Sequence, residues 1–390
     1  MVQVAIVGIG EAKVGRFPDR SALDIALQVS EEAIAMAGID RADIGVVLVA
    51  PCFADPWFNT DLGFARLVDE LGLCGTVELN AQINAGGSTG TALLRAAAGL
   101  LATGRTKYVL CVHSETFSAL SKQDGFDFFA RAGTEREFEA PFGLTYNALP
   151  AMAAQRYLFE NDAPLEHIAE VSVSCREWAS LHPCAMFTDR LTVEDVLNAP
   201  VVASPLTALM LNALGDGGSA FIVTSGDRAR ATPSTPVYVW GESGVVSTYS
   251  YAQHENLTDM NWSRVARQAF AEARISPSDV DVLQIYMAYP IYHLILLEQL
   301  GFCEKGKAGE FVASGATRPG GSLPMSTNGD AMSYGHIGAG VGVATIVESA
   351  RQLMGLAGER QVPDASIILK TSAGGAYADA QITIFGLEPR

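Results

Sequence analysis

The sequence of 390 residues lacks the features of several large protein classes. It has no apolar run of about 18 residues, the length that a membrane-spanning helix needs. Its six cysteines form no CxxC pair and show no metal-ligand spacing, so we expect reduced, mostly buried thiols and no metal site. The first residues, MVQVAIVGIG, resemble a strand rather than a secretion signal, and the last, FGLEPR, are no peroxisomal signal. We therefore expect a cytoplasmic protein.

Positive charge is also scarce. The chain has 26 Lys and Arg residues against 43 Asp and Glu residues, a formal net charge of -17. This balance argues against nucleic acid and against an anionic membrane surface as partners. A phosphorylated ligand is still compatible with it, because helix N-termini can hold phosphate groups. The segment GIGEAKVG (8–15) misplaces the third glycine of a dinucleotide fingerprint, so we expect no nicotinamide cofactor.

The sequence does contain an internal repeat. VAIVGIGEAKVG near the start and VYVWGESGVV later are each followed by a helical run and a short β-branched strand. Corresponding residues of the two copies are Gly8 and Gly241, Asp43 and Asp279, and Gly104 and Gly358, the last pair being expected to end two buried helices. Two such copies predict an α/β fold with two similar halves, 1–232 and 233–390, in five layers of the order α/β/α/β/α.

Between the copies, residues 117–205 break the pattern. This stretch is rich in aromatic residues and helix formers, as in PFGLTYNALPAMAAQRYLF. A long insertion in an otherwise regular duplication usually covers a site or shapes its cavity, so we expect it to contribute to substrate binding.

Each half also contains a glycine turn, INAGGSTG in the first and TSAGGA in the second. Gly86 lies at the apex of the first turn, directly before a buried helix, where a nucleophile could be held at the positive end of the helix dipole. Two interpretations stay open. Either only glycine can make this turn, or a side chain is absent so that a substrate can reach the backbone N–H groups.

Several segments in the same order resemble the thiolase superfamily, and in particular the sterol-carrier-protein-2-type (nonspecific lipid-transfer) thiolases. They include VAIVGIGEAKVGRF, YLFENDAPLEHIAEVSVSCREWASLHP, DGGSAFIVTS, GATRPGGSLPMSTNGDAMSYGHIGAG and TSAGGA. The resemblance covers essentially the whole chain. It implies the thiolase fold, an acyl-CoA substrate with no cofactor besides its coenzyme A, and a homodimer formed through the first half.

The catalytic positions depart from the family pattern. The family's acyl-accepting cysteine falls on Gly86, and Tyr286 stands where a histidine is usual. The G-H-P motif becomes GHI, which retains His336, and Ser372 or Thr371 occupies the position of the C-terminal cysteine. A conventional acyl-enzyme mechanism is therefore not expected, since thiolysis needs a thiolate to accept the acyl group.

One branch that lacks the cysteine resembles steroid side-chain aldolases, which cleave β-hydroxyacyl-CoA esters with tyrosines. One of those tyrosines corresponds to Tyr251, and the second corresponds to His336 in this chain. The resemblance thus implies a retro-aldol lyase for a bulky steroid or aromatic substrate, with Tyr251 or His336 as the base. The backbone donors expected at the thioester oxygen are those of Gly86, Gly87, Gly374 and Gly375. In the aromatic segment IYMAYPIYHLILL, which includes Tyr286 and His293, most residues are expected in the core and one at the site.

Two alternatives remain at this stage. The chain could be a non-catalytic thiolase-like or lipid-transfer subunit, or an acyltransferase with an atypical nucleophile such as Ser372. The resemblance to the branch without the cysteine also implies a small zinc-ribbon/OB-fold partner subunit.

Overall fold

The computed structural model describes residues 3–121, 123–125, 133–375 and 377–390. Part of the predicted insertion, residues 122 and 126–132, lies outside this range, as does residue 376 of the second glycine motif. The strands are β1 (Val4–Glu11), β2 (Ile44–Val49), β3 (Leu79–Gln82), β4 (Tyr108–Thr116), β5 (Val201–Ala203), β6 (Leu206–Thr207), β7 (Asp216–Ser225), β8 (Val237–Val246), β9 (Val282–Gln284), β10 (Ile367–Ser372) and β11 (Asp379–Gly386). The helices are α1 (Ala22–Ala37), α2 (Asp61–Glu70), α3 (Thr89–Leu101), α4 (Ala148–Asn161), α5 (Glu166–Ser180), α6 (Val193–Asn198), α7 (Gly226–Ala229), α8 (Trp262–Ala273), α9 (Pro290–Gln299), α10 (Ala308–Ala313), α11 (Asp330–Ser333) and α12 (Val341–Leu353).

The strand order repeats the duplication seen in the sequence. The large sheet runs β3-β2-β4-β7-β1-β8-β11-β10-β9, so the two copies meet where β1 pairs with β8. Moving outward from this seam, each copy has two antiparallel pairings followed by a parallel one. The first copy ends in β3, whereas the second has only an isolated bridge between Leu283 and Met325 at that place, as far as the described residues show.

Helices pack on the outside of the two halves of the sheet and also between them. α1 packs on β1, β7 and β4, and α8 packs on β8 and β11. Between the halves, α3 and α12 pack against each other and against strands of the sheet. The predicted five-layer thiolase fold is therefore confirmed. The boundary of the two domains at 232/233 stays a prediction.

Glycines in the central strands allow the outer helices to approach closely. A Cβ on Gly8 in β1 would lie 2.1 Å from the Ala33 carbonyl oxygen of α1. A Cβ on Gly241 in β8 would lie 2.7 Å from the Ala269 carbonyl oxygen of α8. The repeated glycine of the sequence is thus a packing requirement in both copies.

One helix end differs from the prediction. Gly104 follows α3 with a left-handed φ of 72°, in keeping with a C-terminal glycine. α12 ends at Leu353, however, and the left-handed residue that follows it directly is Gly355, with φ 73°. Gly358 instead opens a separate 3-10 turn, so the glycine that ends this helix lies three residues before the predicted one.

The described part of the insertion packs on the second half of the molecule. α4 contacts α9, and α5 contacts α9, α10 and α11. The contact carries the insertion to the segment after β9, where the aromatic residues of the second half are concentrated. Among the described residues, no helix has the length and apolar character to span a membrane.

Candidate active site

The first glycine turn connects β3 to the N-terminus of α3. Gly86 adopts a left-handed φ of 55°, a conformation that costs little only for glycine. The Thr89 hydroxyl stabilises the turn, because it accepts from the Ala85 amide at 3.0 Å and donates to the Gly86 carbonyl at 2.6 Å.

The second glycine turn lies directly against the first. A Cβ on Gly86 would lie 2.9 Å from the Gly375 nitrogen and 3.4 Å from Gly374 Cα. A Cβ on Gly87 would lie 2.2 Å from the Ala373 carbonyl oxygen. The two turns therefore meet backbone to backbone and leave no room for a side chain. Both the space and the φ angle favour the interpretation that only glycine can make this turn.

Not all of the four predicted backbone donors face a substrate. The Gly86 amide donates to Asn84 Oδ1 at 3.0 Å, and the Gly374 amide donates to Asp379 Oδ1. In the described part of the chain, the amides of Gly87 and Gly375 donate to no acceptor. We therefore narrow the predicted set of four donors to these two.

Tyr286 follows β9 and lies against the first turn. Its phenol oxygen is 3.2 Å, and its Cε1 3.0 Å, from the position that a Cβ on Gly87 would occupy. Burial raises the pKa of Tyr286 well above its usual value, so the phenol is protonated at neutral pH and can donate a hydrogen bond. Its ring centroid is 6.5 Å from that of His336, which brings two of the predicted residues to one side of the turn.

His336 is held by its backbone and by one ring nitrogen. Its amide donates to the Ala213 carbonyl at 2.8 Å, and Nδ1 accepts from the Gly338 amide at 3.2 Å. Because Nδ1 is an acceptor, a neutral ring carries its proton on Nε2. Burial lowers the pKa of His336 to about 4, which keeps the ring neutral. In this state Nε2 can donate a hydrogen bond, whereas Nδ1 already accepts from the Gly338 amide.

Tyr251 lies farther from the glycine turns. Its hydroxyl donates to the Leu149 carbonyl at 2.8 Å and is 3.0 Å from the Tyr292 hydroxyl. The ring centroids of Tyr292 and Tyr377 are 4.0 Å apart, and those of Tyr377 and Tyr146 are 6.3 Å apart. The Tyr146 hydroxyl in turn donates to the Gly375 carbonyl at 3.1 Å. A row of tyrosines thus leads from Tyr251 to the second glycine turn, and Tyr251 itself makes no hydrogen bond to the described residues of either turn.

The side chains of Ser372 and His293 are both fully buried. Ser372 Oγ is 3.1 Å from Thr91 Oγ1 of α3, which also accepts from Lys370 Nζ at 2.9 Å. His293, on α9, has Nδ1 at 3.1 Å from the Tyr289 carbonyl, so it contacts the segment that carries Tyr286 from behind. Of the side chains predicted from sequence, Tyr286 therefore lies against the first turn, and the His336 ring lies beside Tyr286.

Backbone strain is concentrated in the same region. Among the described residues, eight that are not glycine have positive φ, and the four exposed ones are Asp162, Asn261, Arg274 and Asp364. The four buried ones surround the tyrosines: Ala288, Ser326, Asp330 and Tyr377. Strained backbone of this kind costs about 1–3 kcal/mol per residue and tends to occur at functional sites. This supports placing the site here.

Comparison with known proteins identifies the family. Residues 243–387 match the family described as Thiolase C-terminal domain-like. An acetyl-CoA acetyltransferase of Methanothermobacter thermautotrophicus is 31% identical over 386 residues, which cover 99% of this chain and 100% of the relative. The chain belongs to the thiolase superfamily.

Two further thiolase-superfamily members carry the names of carbon–carbon lyases. The 17-hydroxy-3-oxo-4-pregnene-20-carboxyl-CoA lyase of Mycobacterium tuberculosis is 31% identical, over 90% of this chain and 92% of its own length. The solved structure of the Ltp2-ChsH2(DUF35) aldolase has a TM-score of 0.85 and 28% identity, and the match covers 100% of this chain and 98% of that one. Weaker matches to sterol carrier protein 2 agree with the predicted branch of the superfamily.

One group of potential metal ligands lies close together in the described part of this thiolase-fold chain. The ligand atoms of Glu11, His182 and Cys184 are within 4.8 Å of one another. The Glu11 carboxylate, however, already accepts from the Tyr334 hydroxyl at 2.8 Å and from Arg351 at 3.1 Å. A metal would have to displace these bonds, so we interpret the group as a buried ion-paired cluster.

Sequence reasoning missed three side chains at the site. Asp379 holds the second turn, since it accepts from the Gly374 amide and from Ser88 Oγ at 3.1 Å. Tyr146 bonds that turn from the insertion, and Asp330 lies beneath the segment that carries Tyr286. The sequence did contain a signal for Asp330, because its carboxylate interrupts the glycine-rich motif STNGDAMSYGHIGAG. Tyr146 lies in the aromatic insertion that we expect to contribute to substrate binding, but its contact with the second turn was not predicted. Asp379 reaches the site through long-range contacts and had no signal in the sequence.

Proposed function

We propose that this protein is a thiolase-like aldolase that cleaves the Cα–Cβ bond of a bulky β-hydroxyacyl-CoA. The observation that carries the proposal is at Gly86, where the chain has no nucleophile and, 2.9 Å from the Gly375 nitrogen, no room for one. Acyl transfer through a covalent intermediate needs a nucleophilic side chain. Retro-aldol cleavage needs only proton transfer and donors that stabilise a thioester enolate.

The reaction balances without a redox partner. The β-hydroxyl loses its proton and becomes a carbonyl, while the Cα–Cβ bond breaks and its electron pair enters the thioester enolate. Cα then takes up a proton, which gives acetyl- or propionyl-CoA together with a ketone or aldehyde. Overall, one proton moves from the hydroxyl to Cα, so no cofactor is required besides the coenzyme A of the substrate.

The geometry supports distinct roles for the converging groups. The amides of Gly87 and Gly375, which donate to no acceptor among the described residues, would donate to the thioester oxygen as negative charge develops on it, together with Nε2–H of His336. Tyr286, whose phenol is protonated and lies against Gly87, would give its own proton to Cα and take up the β-hydroxyl proton in its place. Tyr251, the base implied by the resemblance, hydrogen-bonds Leu149 and Tyr292, so we assign it a supporting role in the row of tyrosines.

The substrate class and the partners rest on the relatives. The lyase and aldolase names support an acyl-CoA with a steroid or similarly bulky aromatic acyl group. The name Ltp2-ChsH2(DUF35) aldolase denotes an assembly of two proteins, which supports a small zinc-ribbon/OB-fold partner for this chain as well. A homodimer formed through the first half is part of the same proposal.

The test is cleavage by the purified full chain, with the released CoA ester and carbonyl product followed by mass spectrometry. Substrates are a panel of steroid and aromatic β-hydroxyacyl-CoA esters. We expect Tyr286→Phe to lower kcat by about 100-fold or more, the usual contribution of general acid–base catalysis. Tyr251→Phe is the comparator, and a larger loss in Tyr251→Phe than in Tyr286→Phe would assign the proton transfer to Tyr251. Tight binding of the whole panel without any cleavage would refute the lyase and favour a non-catalytic subunit.

An acyltransferase is a second candidate because of Ser372. Its hydroxyl is connected through Thr91 to Lys370, whose pKa burial lowers to about 7, so the amine could accept a proton at neutral pH. The similarity to acetyl-CoA acetyltransferases supports the same class. Incubation with acyl-CoA and intact-protein mass spectrometry tests it. An acyl adduct that Ser372→Ala abolishes would replace the lyase proposal.

A further inference from the structure

The segment that carries Tyr286 lies over a buried carboxylate that the proposed chemistry does not use. Asp330 opens α11 and is 2% exposed. The backbone N–H groups of Met287, Ala288 and Ala331 stabilise its ionised form. None of them reaches full hydrogen-bond geometry, so both carboxylate oxygens lack a close partner among the described residues.

The backbone around this carboxylate is strained on both sides. Asp330 has a φ of 47° and Ala288 a φ of 60°, and both are buried. Residues with a Cβ avoid this left-handed region unless the surroundings hold them there. Since Ala288 directly follows Tyr286 and Met287, whatever holds Ala288 also holds Tyr286.

His293 completes the arrangement from α9. Its Nδ1 faces the Tyr289 carbonyl, which can only accept, so Nδ1 carries a proton. In a neutral ring Nε2 is then an acceptor, and it lies 3.8 Å from Asp330 Oδ2 and 3.4 Å from Ser326 Oγ. Two acceptors that face each other in a buried place repel unless a proton lies between them. The pair therefore holds one proton, on the carboxyl or on the ring, until the pH rises above the pKa of the pair.

We propose that Asp330 is a positioning residue of the site: together with His293 it holds the segment 286–289 and so keeps Tyr286 against Gly87. The catalytic part of this inference rests on the proposed function, whereas the structural part does not. The carboxylate acts on the amides of the segment from below, and His293 ties the Tyr289 carbonyl on the far side. Tyr286 is thus held between two anchored residues and the first glycine turn.

The pair also gives the segment a dependence on pH. Burial raises the pKa of Asp330 to about 7, against the effect of the neighbouring amides. The titratable groups that face it are His293 on α9, Tyr286 and, on α5, Cys175. Burial lowers the pKa of His293 to about 4 and keeps the thiol and the phenol protonated, so Asp330 is the group that changes charge near neutral pH.

Two substitutions separate positioning from simple folding. Asparagine tolerates a left-handed φ, accepts from the segment's amides and donates to His293 Nε2 at every pH. Asp330→Asn should therefore keep the segment in place, and Asp330→Ala should release it. The matched control is Asp162→Ala, because Asp162 has the same φ of 47° but is exposed and far along the chain from the site.

The main experiment is hydrogen exchange of the peptide that contains residues 286–289, measured by mass spectrometry from pH 6 to 8 after correction for intrinsic exchange. We expect Asp330→Ala to raise its exchange about tenfold or more, because the amides of the segment lose the buried carboxylate that they face and local opening becomes easier. Asp330→Asn should exchange like the wild type but without the wild type's inflection near pH 7. The Asp162 variant should leave this peptide unchanged. Equal exchange in all four proteins, or an inflection that persists in Asp330→Asn, would overturn the proposal.

Kinetics on an accepted β-hydroxyacyl-CoA provide the second readout. Asp330→Ala should lower kcat with little change in KM, and Asp330→Asn should restore kcat and flatten the pH profile. If no substrate of the panel is cleaved, the exchange measurement still decides about Asp330. If cleavage is found but the Asp330 variants match the wild type in both readouts, the proposed function stands and the positioning role falls.

Discussion

Replacing Gly86 by alanine tests directly whether the two glycine turns meet backbone to backbone. Gly86 has a φ of 55°, and a Cβ there would lie 2.9 Å from the Gly375 nitrogen. Gly358 is the matched control, because its φ is 61° and a Cβ there would have nothing within 4 Å. Both substitutions put alanine into a left-handed conformation, but only Gly86→Ala adds a contact with another backbone.

The magnitude follows from two contributions. The left-handed conformation costs an alanine about 1–2 kcal/mol, which both variants share. Overpacking against a backbone atom that cannot rotate away costs about 1–3 kcal/mol more, and only the Gly86 variant has this cost. The gain from a less flexible unfolded chain applies to both and cancels in the difference. We therefore expect Gly86→Ala to be less stable than Gly358→Ala by about 1–3 kcal/mol.

Thermal unfolding of the two variants side by side measures this difference. For 390 residues the unfolding entropy is about 0.8 kcal/mol per kelvin, so the two midpoints should differ by about 1–4 °C. Gly86→Cys adds a chemical readout, since the missing room should prevent it from forming an acyl-enzyme with acyl-CoA. Equal midpoints for the two alanine variants, or an acylated cysteine at position 86, would refute the reasoning.

Three further predictions concern groups around the turns. Asp379→Ala leaves the Gly374 amide without its acceptor, so the free energy of unfolding should fall by about 1–3 kcal/mol in denaturant titrations, and no change would contradict the bond. Tyr251→Phe removes a buried hydrogen bond to the Leu149 carbonyl and should cost about 0.5–1.5 kcal/mol in the same assay, whereas an unaffected stability would argue against this contact. The folded pKa of Asp330 is raised from 3.8 to about 7, so the wild type should lose stability as pH rises through this window. The advantage of Asp330→Asn should grow there by up to about 4 kcal/mol, and a difference that does not change with pH would count against the shift.

Features that depend on nearby residues could be predicted from the sequence. The duplication was visible because each copy has the same succession of strand, helix and glycine turn, and these elements reflect local periodicity. One local signal was misplaced: Gly358 stood in the repeat where the structure uses Gly355, since two glycines three residues apart fit the same pattern.

The chemistry of the candidate site could be predicted only as a set of residue types. The sequence by itself determined that the first turn has no nucleophile at Gly86 and that the second half retains His336. It could not determine which amides already have an acceptor. Asn84 accepts from the Gly86 amide two residues away, but the Gly374 amide donates to Asp379, which also accepts from Ser88 of the other half. It also could not separate Tyr286 from Tyr251.

Only the tertiary structure decided these points, and the physical reason is packing over long sequence separations. The contact of Gly86 with Gly375 joins residues from different halves, and it exists because α3 and β10 bring the two turns together. The same packing directs Tyr251 toward Leu149 in the insertion and buries Asp330 beneath the segment that carries Tyr286. Local sequence determined that there are two glycine turns, and the fold determined that they form one site.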